Sequence, residues 1–202
     1  MVRLAISVEG QTEERFVKMV LAPHLQVRDI FAVPLTLGRG GGDVSLSRIR
    51  KDLNNLANSY DRVTTLYDFY GFRGKSGGEN KDSLEQKILN CVAPALQPRI
   101  IPYVQMYEFE GLLFSSPEAI ENNIQQAGLA DWANRILQQF AGNPEEINDS
   151  KTTAPSKRLL QQADYIKTVH GPNIAREIGL DVLRVKCTGF AVWLDTLEAL
   201  QQ

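Results

Sequence analysis

A short apolar run, Leu4-Ala5-Ile6-Ser7-Val8, is stopped by Glu9-Gly10 and followed by a helical stretch, and the same unit recurs down the first half of the chain. A run of about five residues with no polar alternation suits a strand buried on both faces, as in a parallel sheet. Parallel neighbours cannot be joined by a tight hairpin, so each such strand demands a crossover, most simply a helix. Strands are predicted over 4–8, 30–37, 62–67 and 98–105. Between them, Thr12 can cap a helix reaching His24, with Glu13 and Glu14 in its first turn where the macrodipole favours negative charge. Leu46, Ile49, Leu53 and Leu56 mark a second helix, and Leu84, Ile88, Val92 and Leu96 a third. Pro34 cannot donate a ladder hydrogen bond and places its strand at a sheet edge. Strand-helix alternation of this kind predicts an α/β, doubly wound, mostly parallel four-stranded sheet with helices on both faces.

Past residue 108 the strand signal ends. Residues 108–141 read as helices broken near Ser115-Ser116-Pro117 and Gly128, and 142–153 as a polar loop. Pro155 and Pro172 each suit the first turn of a further helix, where the missing N–H costs nothing. Phe190, Trp193, Leu194, Leu197 and Leu200 form an apolar stripe for packing on the sheet. At 202 residues the chain is expected to be a single domain, an α/β core over 1–107 with a helical extension over 108–202. With 22 Lys+Arg against 24 Asp+Glu it is not a general polyanion binder, though a local basic patch could still face nucleic acid. Cys91 and Cys187 are too few for a disulfide framework and too far apart for a zinc knuckle, and Cys91 falls on an apolar stripe as a buried free thiol. No apolar run approaches the roughly 18 residues that span a bilayer, and the first one meets Glu9 too early for a secretory signal. A cytoplasmic protein without membrane partners is the expectation.

Acidic residues stand just beyond the predicted strand ends: Glu9, Asp68, and Glu108 with Glu110. In open α/β sheets, ligands bind outside the carboxyl ends of the strands, so these separated acids are expected to share one cleft. Carboxylates gathered there repel one another, and a hard divalent cation, magnesium or manganese, is the natural counter-charge. Glu9 alone could be an exposed turn carboxylate. Glu108 and Glu110 share a face if their segment is extended; if it is helical they diverge and only one serves the cleft. Among the bases, Lys157, Arg158 and Lys186 are candidates to hold an anionic substrate, with Lys167 and Arg184 nearby in sequence. The run Gly38-Arg39-Gly40-Gly41-Gly42 could cradle a phosphate but lacks the Walker lysine, and a flexible loop competes with that reading. His24 and His170 have no ligand partner at motif spacing, and no Ser/His/Asp or Cys/His constellation is recognisable.

The order Glu9-Gly10 after the first strand and Asp68 after the third is similar to the Toprim fold, shared by topoisomerases, primases and nucleases of the overcoming-lysogenization-defect type. More closely, Val-Glu-Gly-Gln-Thr-Glu-Glu from Val8, Tyr-Asp-Phe-Tyr-Gly-Phe from Tyr67, Tyr-Glu-Phe-Glu-Gly-Leu-Leu-Phe from Tyr107, Pro-Ser-Lys-Arg from Pro155 and the 187–193 segment resemble a Toprim-related bacterial family, domain of unknown function 4276. The resemblance spans nearly the whole chain. It implies acid/base work for Glu9 and magnesium binding for Asp68. Tyr70 stands where the Toprim Asp-x-Asp pair would place its second aspartate, so Glu108 and Glu110 would have to complete the coordination, or the metal is held weakly. It also implies partnership with an AAA-type ATPase in anti-phage defence. The expected activity is a magnesium- or manganese-dependent phosphodiesterase acting on nucleic acid, with Glu9 and Asp68 catalytic and Lys157, Arg158 and Lys186 on the substrate. The alternatives are a catalytically inactive regulatory or interaction module partnering the ATPase, and a nucleotide-binding phosphotransferase using the glycine run.

Overall fold

A computed structural model describes residues 1–38, 44–148 and 150–201. Arg39 to Gly42 of the glycine run, and Asp43 after it, lie outside the described residues. The first half comprises β1 (Val2–Val8), α1 (Gln11–Phe16), α2 (Ala22–Gln26), β2 (Ile30–Thr36), α3 (Leu46–Ser59), β3 (Arg62–Asp68), α4 (Lys81–Cys91), β4 (Ile100–Ile101) and β5 (Val104–Gln105). A 3-10 turn, Phe109–Ser115, then leads into α5 (Pro117–Ile124), α6 (Leu129–Gln139), α7 (Pro155–Gln162), α8 (Lys167–Lys186) and α9 (Thr188–Glu198).

The sheet is parallel throughout, in the order β2-β1-β3-β4, with β5 also beside β3. Pro34 lies opposite Ile6 on the β2 edge, where a missing N–H disturbs no second neighbour. Residues along each strand alternate between two cores. Leu4, Ile6, Val8 and Leu66 pack with Phe16, Phe109, Phe114 and Phe190 on one face. Ala5, Val63 and Tyr67 meet Ile49, Leu53, Leu84 and Ile88 on the other. The helical second half shares its apolar core with β1.

Two departures from the sequence reading have identifiable causes. The single strand expected over 98–105 is split into β4 and β5 at Pro102-Tyr103, and the Thr65 hydroxyl fills the gap. It accepts from the Tyr103 N–H and donates to the Tyr103 carbonyl, both at 2.8 Å. Beyond the gap, the outward polar groups of Val104 are covered: its N–H donates to Glu85 (2.9 Å) and its carbonyl accepts from Lys81 (2.7 Å), so the edge offers little to a passing strand. Pro172 does not open a helix but sits inside α8. Its missing N–H would have served the Thr168 carbonyl one turn back, and Arg15 of α1 takes that carbonyl instead at 2.7 Å. Gly171 beside it lets α8 approach α1 closely, since a Cβ there would lie 2.9 Å from the Tyr165 hydroxyl and 3.1 Å from Thr12. The helix expected to reach His24 widens into a π turn, Val17–Leu21, where Pro23 offers no N–H to the Met19 carbonyl.

α9 packs as its stripe predicts. Trp193 stacks on Tyr103 with centroids 4.5 Å apart, and its indole N–H donates to Thr64 of β3 at 2.8 Å. Glu145 receives the Gly189 and Phe190 N–H groups at 2.7 and 3.1 Å, closing the N-terminus of α9. Both cysteines are free; Cys187 is buried, while Cys91 is only partly buried, against expectation. Among the described residues no helix is long and apolar enough to cross a membrane.

Candidate active site

Beyond the carboxyl ends of β1 and β3 lies a cleft of about 580 Å³ whose lining includes Glu9, Asp68 and Glu108, together with Tyr70, Gly71, Arg73, Lys75, Lys151 and Lys167. Register brings the first two together: Val8 pairs with Leu66, so Glu9 emerges beside the last residues of β3. The Asp68 N–H donates to Glu9 Oε2 at 3.3 Å, and Asp68 Oδ1 accepts from the Phe109 N–H at 2.8 Å. Glu108 caps the 3-10 turn, and its Oε2 accepts from the Ser156 N–H in the first turn of α7 at 2.8 Å. Gly71 touches the Glu9 carboxylate so closely that a Cβ would fall 2.1 Å from Oε2.

Because the chain coils at Phe109, Glu108 and Glu110 diverge. Glu108 faces the cleft, whereas Glu110 turns inward, 3% exposed, and pairs with Lys167 at 3.3 Å. Glu13 lies in the same inner layer, 7% exposed, receiving the Gly10 N–H at 2.9 Å. Burial, with Glu9 adding to it, pushes Glu13 up to about 7. Burial also raises Glu110 to about 7 despite Lys167 pulling the other way. Asp68 is raised well above the usual aspartate range by burial and then by Glu13 and Glu9. Glu9 is raised by burial against the opposing Asp68 N–H. Burial works to lower Lys167, but Glu110 and Glu108 outweigh it and hold the ammonium charged. The acids therefore repel one another as expected, with backbone N–H groups and one lysine as partial compensation.

The predicted substrate bases stand elsewhere. Lys157 and Lys186 are exposed on α7 and α8. Arg158 donates to the Thr153 carbonyl at 2.7 Å and lies over the Phe140 ring. None of the three lines the cleft, whose cations are Arg73, Lys75, Lys151 and Lys167. Arg73 and Lys75 had a sequence signal, since they follow Asp68 in its own polar loop; Lys151 had none. Glu13 was readable only as a first-turn acid. Tyr70, in the place of a second aspartate, sends its hydroxyl to Asn148 Oδ1.

No group of three or more His, Cys, Asp or Glu among the described residues forms a ready-made metal cage. The donor set still fits a hard divalent ion chemically. Magnesium commonly binds through one or two carboxylates and completes its shell with water and substrate phosphate, and Glu9, Asp68 and Glu108 each have an oxygen not engaged by the N–H groups above. A roomier cavity of about 950 Å³ between β2 and α3 is lined by Ser7, Arg48, Lys51 and Asp52, among others. The buried Ser7 hydroxyl in its lining is paired with Tyr67 at 2.6 Å.

Comparison with solved structures places the fold. The C-terminal region of the Burkholderia pseudomallei OLD protein superposes with a TM-score of 0.57 at 13% identity, covering 100% of both chains. The corresponding region of the Xanthomonas campestris pv. campestris OLD protein, phased with platinum, gives 0.47 at 17% identity, covering 99% of this chain and 94% of that one. The parallel sheet with flanking helices is thus the Toprim-like α/β fold of the OLD C-terminal region. No curated protein matches the chain. The model of the family described as domain of unknown function (DUF4276) matches residues 8–198, and the chain belongs to that family.

Proposed function

We propose that the chain is a divalent-metal-dependent phosphodiesterase, nuclease-like, acting on nucleic acid. One observation carries the reading: Glu9, Asp68 and Glu108, from three separate segments, share a cleft with Arg73, Lys75, Lys151 and Lys167. Acids for a cation beside bases for an anion is the arrangement a metal-bound phosphate requires. The fold likeness to the OLD C-terminal region agrees with it, and at 13% identity bears on fold alone.

Asp68 and Glu108 would hold magnesium or manganese, with Glu9 at the margin. Bound there, the ion would polarise a phosphoryl oxygen and acidify water. Glu9, fixed by the Asp68 N–H and raised by burial, is suited to accept the proton of an attacking water. Lys75, Lys151 and Lys167 would neutralise the phosphate and the charge that develops on it. Purified protein should bind manganese in calorimetry and cleave DNA or RNA, alone or with a cognate AAA-type ATPase, and Glu9→Ala should abolish cleavage. Protein that binds no manganese and leaves both polymers intact in either setting would overturn the proposal.

A second reading, a catalytically inactive module that regulates or docks on such an ATPase, is favoured by Tyr70 in the aspartate position, whose hydroxyl is turned to Asn148. Glu9→Ala discriminates: loss of cellular function with the complex intact excludes a passive module.

A further inference from the structure

Phe69, Tyr70 and Tyr107 form a cluster of three partly exposed rings, with centroids 5.5 to 6.2 Å apart, and Tyr70 carries the cluster to the rim of the cleft, which it lines. The cluster is held rigidly. The Tyr70 N–H donates to the Tyr107 carbonyl at 3.0 Å, and the Tyr70 hydroxyl is tied to Asn148. Lys75 donates to the Phe69 and Phe72 carbonyls while its ammonium stands 4.9 Å from the Phe69 ring centroid. Tyr107 adopts a left-handed backbone, φ 59°, which a bulky side chain takes only when its surroundings impose it. Core packing accounts in part for Phe69, which packs against the core on the α3 and α4 face, but Tyr70 and Tyr107 belong to neither apolar core.

Resting on the reading of the cleft as a phosphodiester site, we propose that this rim is a stacking platform for an unpaired base next to the phosphate held at Glu9 and Asp68. The substrate class is then single-stranded nucleic acid, or a strand whose flanking nucleotide is displaced from the helix. Every base has a π face, so the platform is indifferent to sequence, and Tyr70 joins it to the phosphate pocket because it lines both. In a duplex the same base is already stacked and paired, and removing it carries a cost.

The test is binding of a fluorescein-labelled oligothymidylate, its duplex with oligoadenylate, and the same strand with abasic sites, to full-length protein without divalent ions. The single strand should bind about tenfold or more tighter than either competitor. Tyr70→Ala and Tyr107→Ala should each weaken it by about 5- to 150-fold, the range expected of one stacked base, while Tyr70→Phe retains most of the affinity. Because rings carry no charge, these variants should leave the salt dependence unchanged, whereas Lys151→Ala should reduce it. Manganese calorimetry on each variant confirms the fold and separates the two readings. Equal binding of strand, duplex and abasic strand, or unchanged affinity in both alanine variants while manganese still binds, overturns the platform and spares the cleft. No oligonucleotide binding at all overturns the platform too, and manganese binding then decides whether the phosphodiesterase reading falls with it.

Discussion

Replacing Gly71 by alanine should disable the cleft while leaving the fold standing. The added Cβ would lie 2.1, 2.6 and 2.7 Å from Glu9 Oε2, Cδ and Oε1, so the carboxylate must retreat by about 1 Å or more to reach ordinary contact distance. The three nearest atoms all belong to Glu9. Gly71 is not in the left-handed region, and the obstructing atoms are the far end of a flexible side chain. Retreat breaks the 3.3 Å bond from the Asp68 N–H that positions Glu9. Manganese affinity should fall roughly 10- to 100-fold, the usual cost of a lost positioning contact, and cleavage about 100-fold for a 1 Å misplacement. Thermal stability should be unchanged or slightly higher, because alanine restricts the unfolded chain more than glycine does. Gly77→Ala is the control, since a Cβ there meets nothing within 4 Å. Calorimetry with manganese and a melting curve on wild type, Gly71→Ala, Gly77→Ala and Glu9→Ala suffice. Wild-type affinity in Gly71→Ala, alongside loss of affinity in Glu9→Ala, would show that the position of Glu9 is not what Gly71 secures.

Further outcomes follow from the same geometry. Glu13, raised to about 7, holds its proton in the fold and loses it more readily when unfolded, so its contribution to stability is complete below about pH 4.5 and is lost as pH rises through about 7. Glu13→Gln should therefore match wild type near pH 5 and exceed it at pH 8, by on the order of 3 kcal/mol at most, in denaturant titrations. Glu145→Ala strips the Gly189 and Phe190 N–H groups at the start of α9 and should cost about 1–3 kcal/mol, read as a lower melting temperature that Glu145→Gln partly restores. Lys157→Ala and Lys186→Ala should leave oligonucleotide affinity near wild type while Lys75→Ala and Lys151→Ala lower it, because only the latter pair lines the cleft.

The strand ends were legible because a doubly buried parallel strand must be apolar throughout, so the first acid after Val8 or Tyr67 can only lie at its edge. That is why Glu9 and Asp68 meet where the sequence predicts. The alternative fates of Glu108 and Glu110 were also readable, but which one holds depends on coiling that begins at Phe109, and only packing of Phe109 against Phe16, 5.2 Å away, shows it. Pro172 misled for a physical reason. A missing N–H is free at a helix start, and nothing local reveals that Arg15, 153 residues before Thr168, takes up the Thr168 carbonyl in the interior. The bases picked from the sequence lie outside the cleft for a similar reason: Lys157 and Arg158 are dense in sequence, yet Arg158 engages a local carbonyl and the Phe140 ring. Lys151, alone in its loop, carried no pattern that set it apart.

What unites these residues is an electrostatic imbalance that the protein does not relieve by itself. Backbone N–H groups reach Glu9, Asp68 and Glu108, and Lys167 reaches Glu110, yet burial and mutual repulsion still raise Glu9, Asp68, Glu13 and Glu110. Glu13 and Glu110, both raised to about 7, are partly protonated near neutrality, and a cation entering the cleft beside them favours loss of those protons. Manganese binding at pH 7 should therefore release protons, with apparent affinity rising with pH until the cluster is ionised. Calorimetry in two buffers of different ionisation enthalpy reads the release directly, and Glu13→Gln, which removes one inner proton carrier without touching the cleft wall, should lower it. Binding enthalpies that do not change with buffer would mean the acids are already ionised, and the repulsion argued for the cleft would be compensated by contacts other than these.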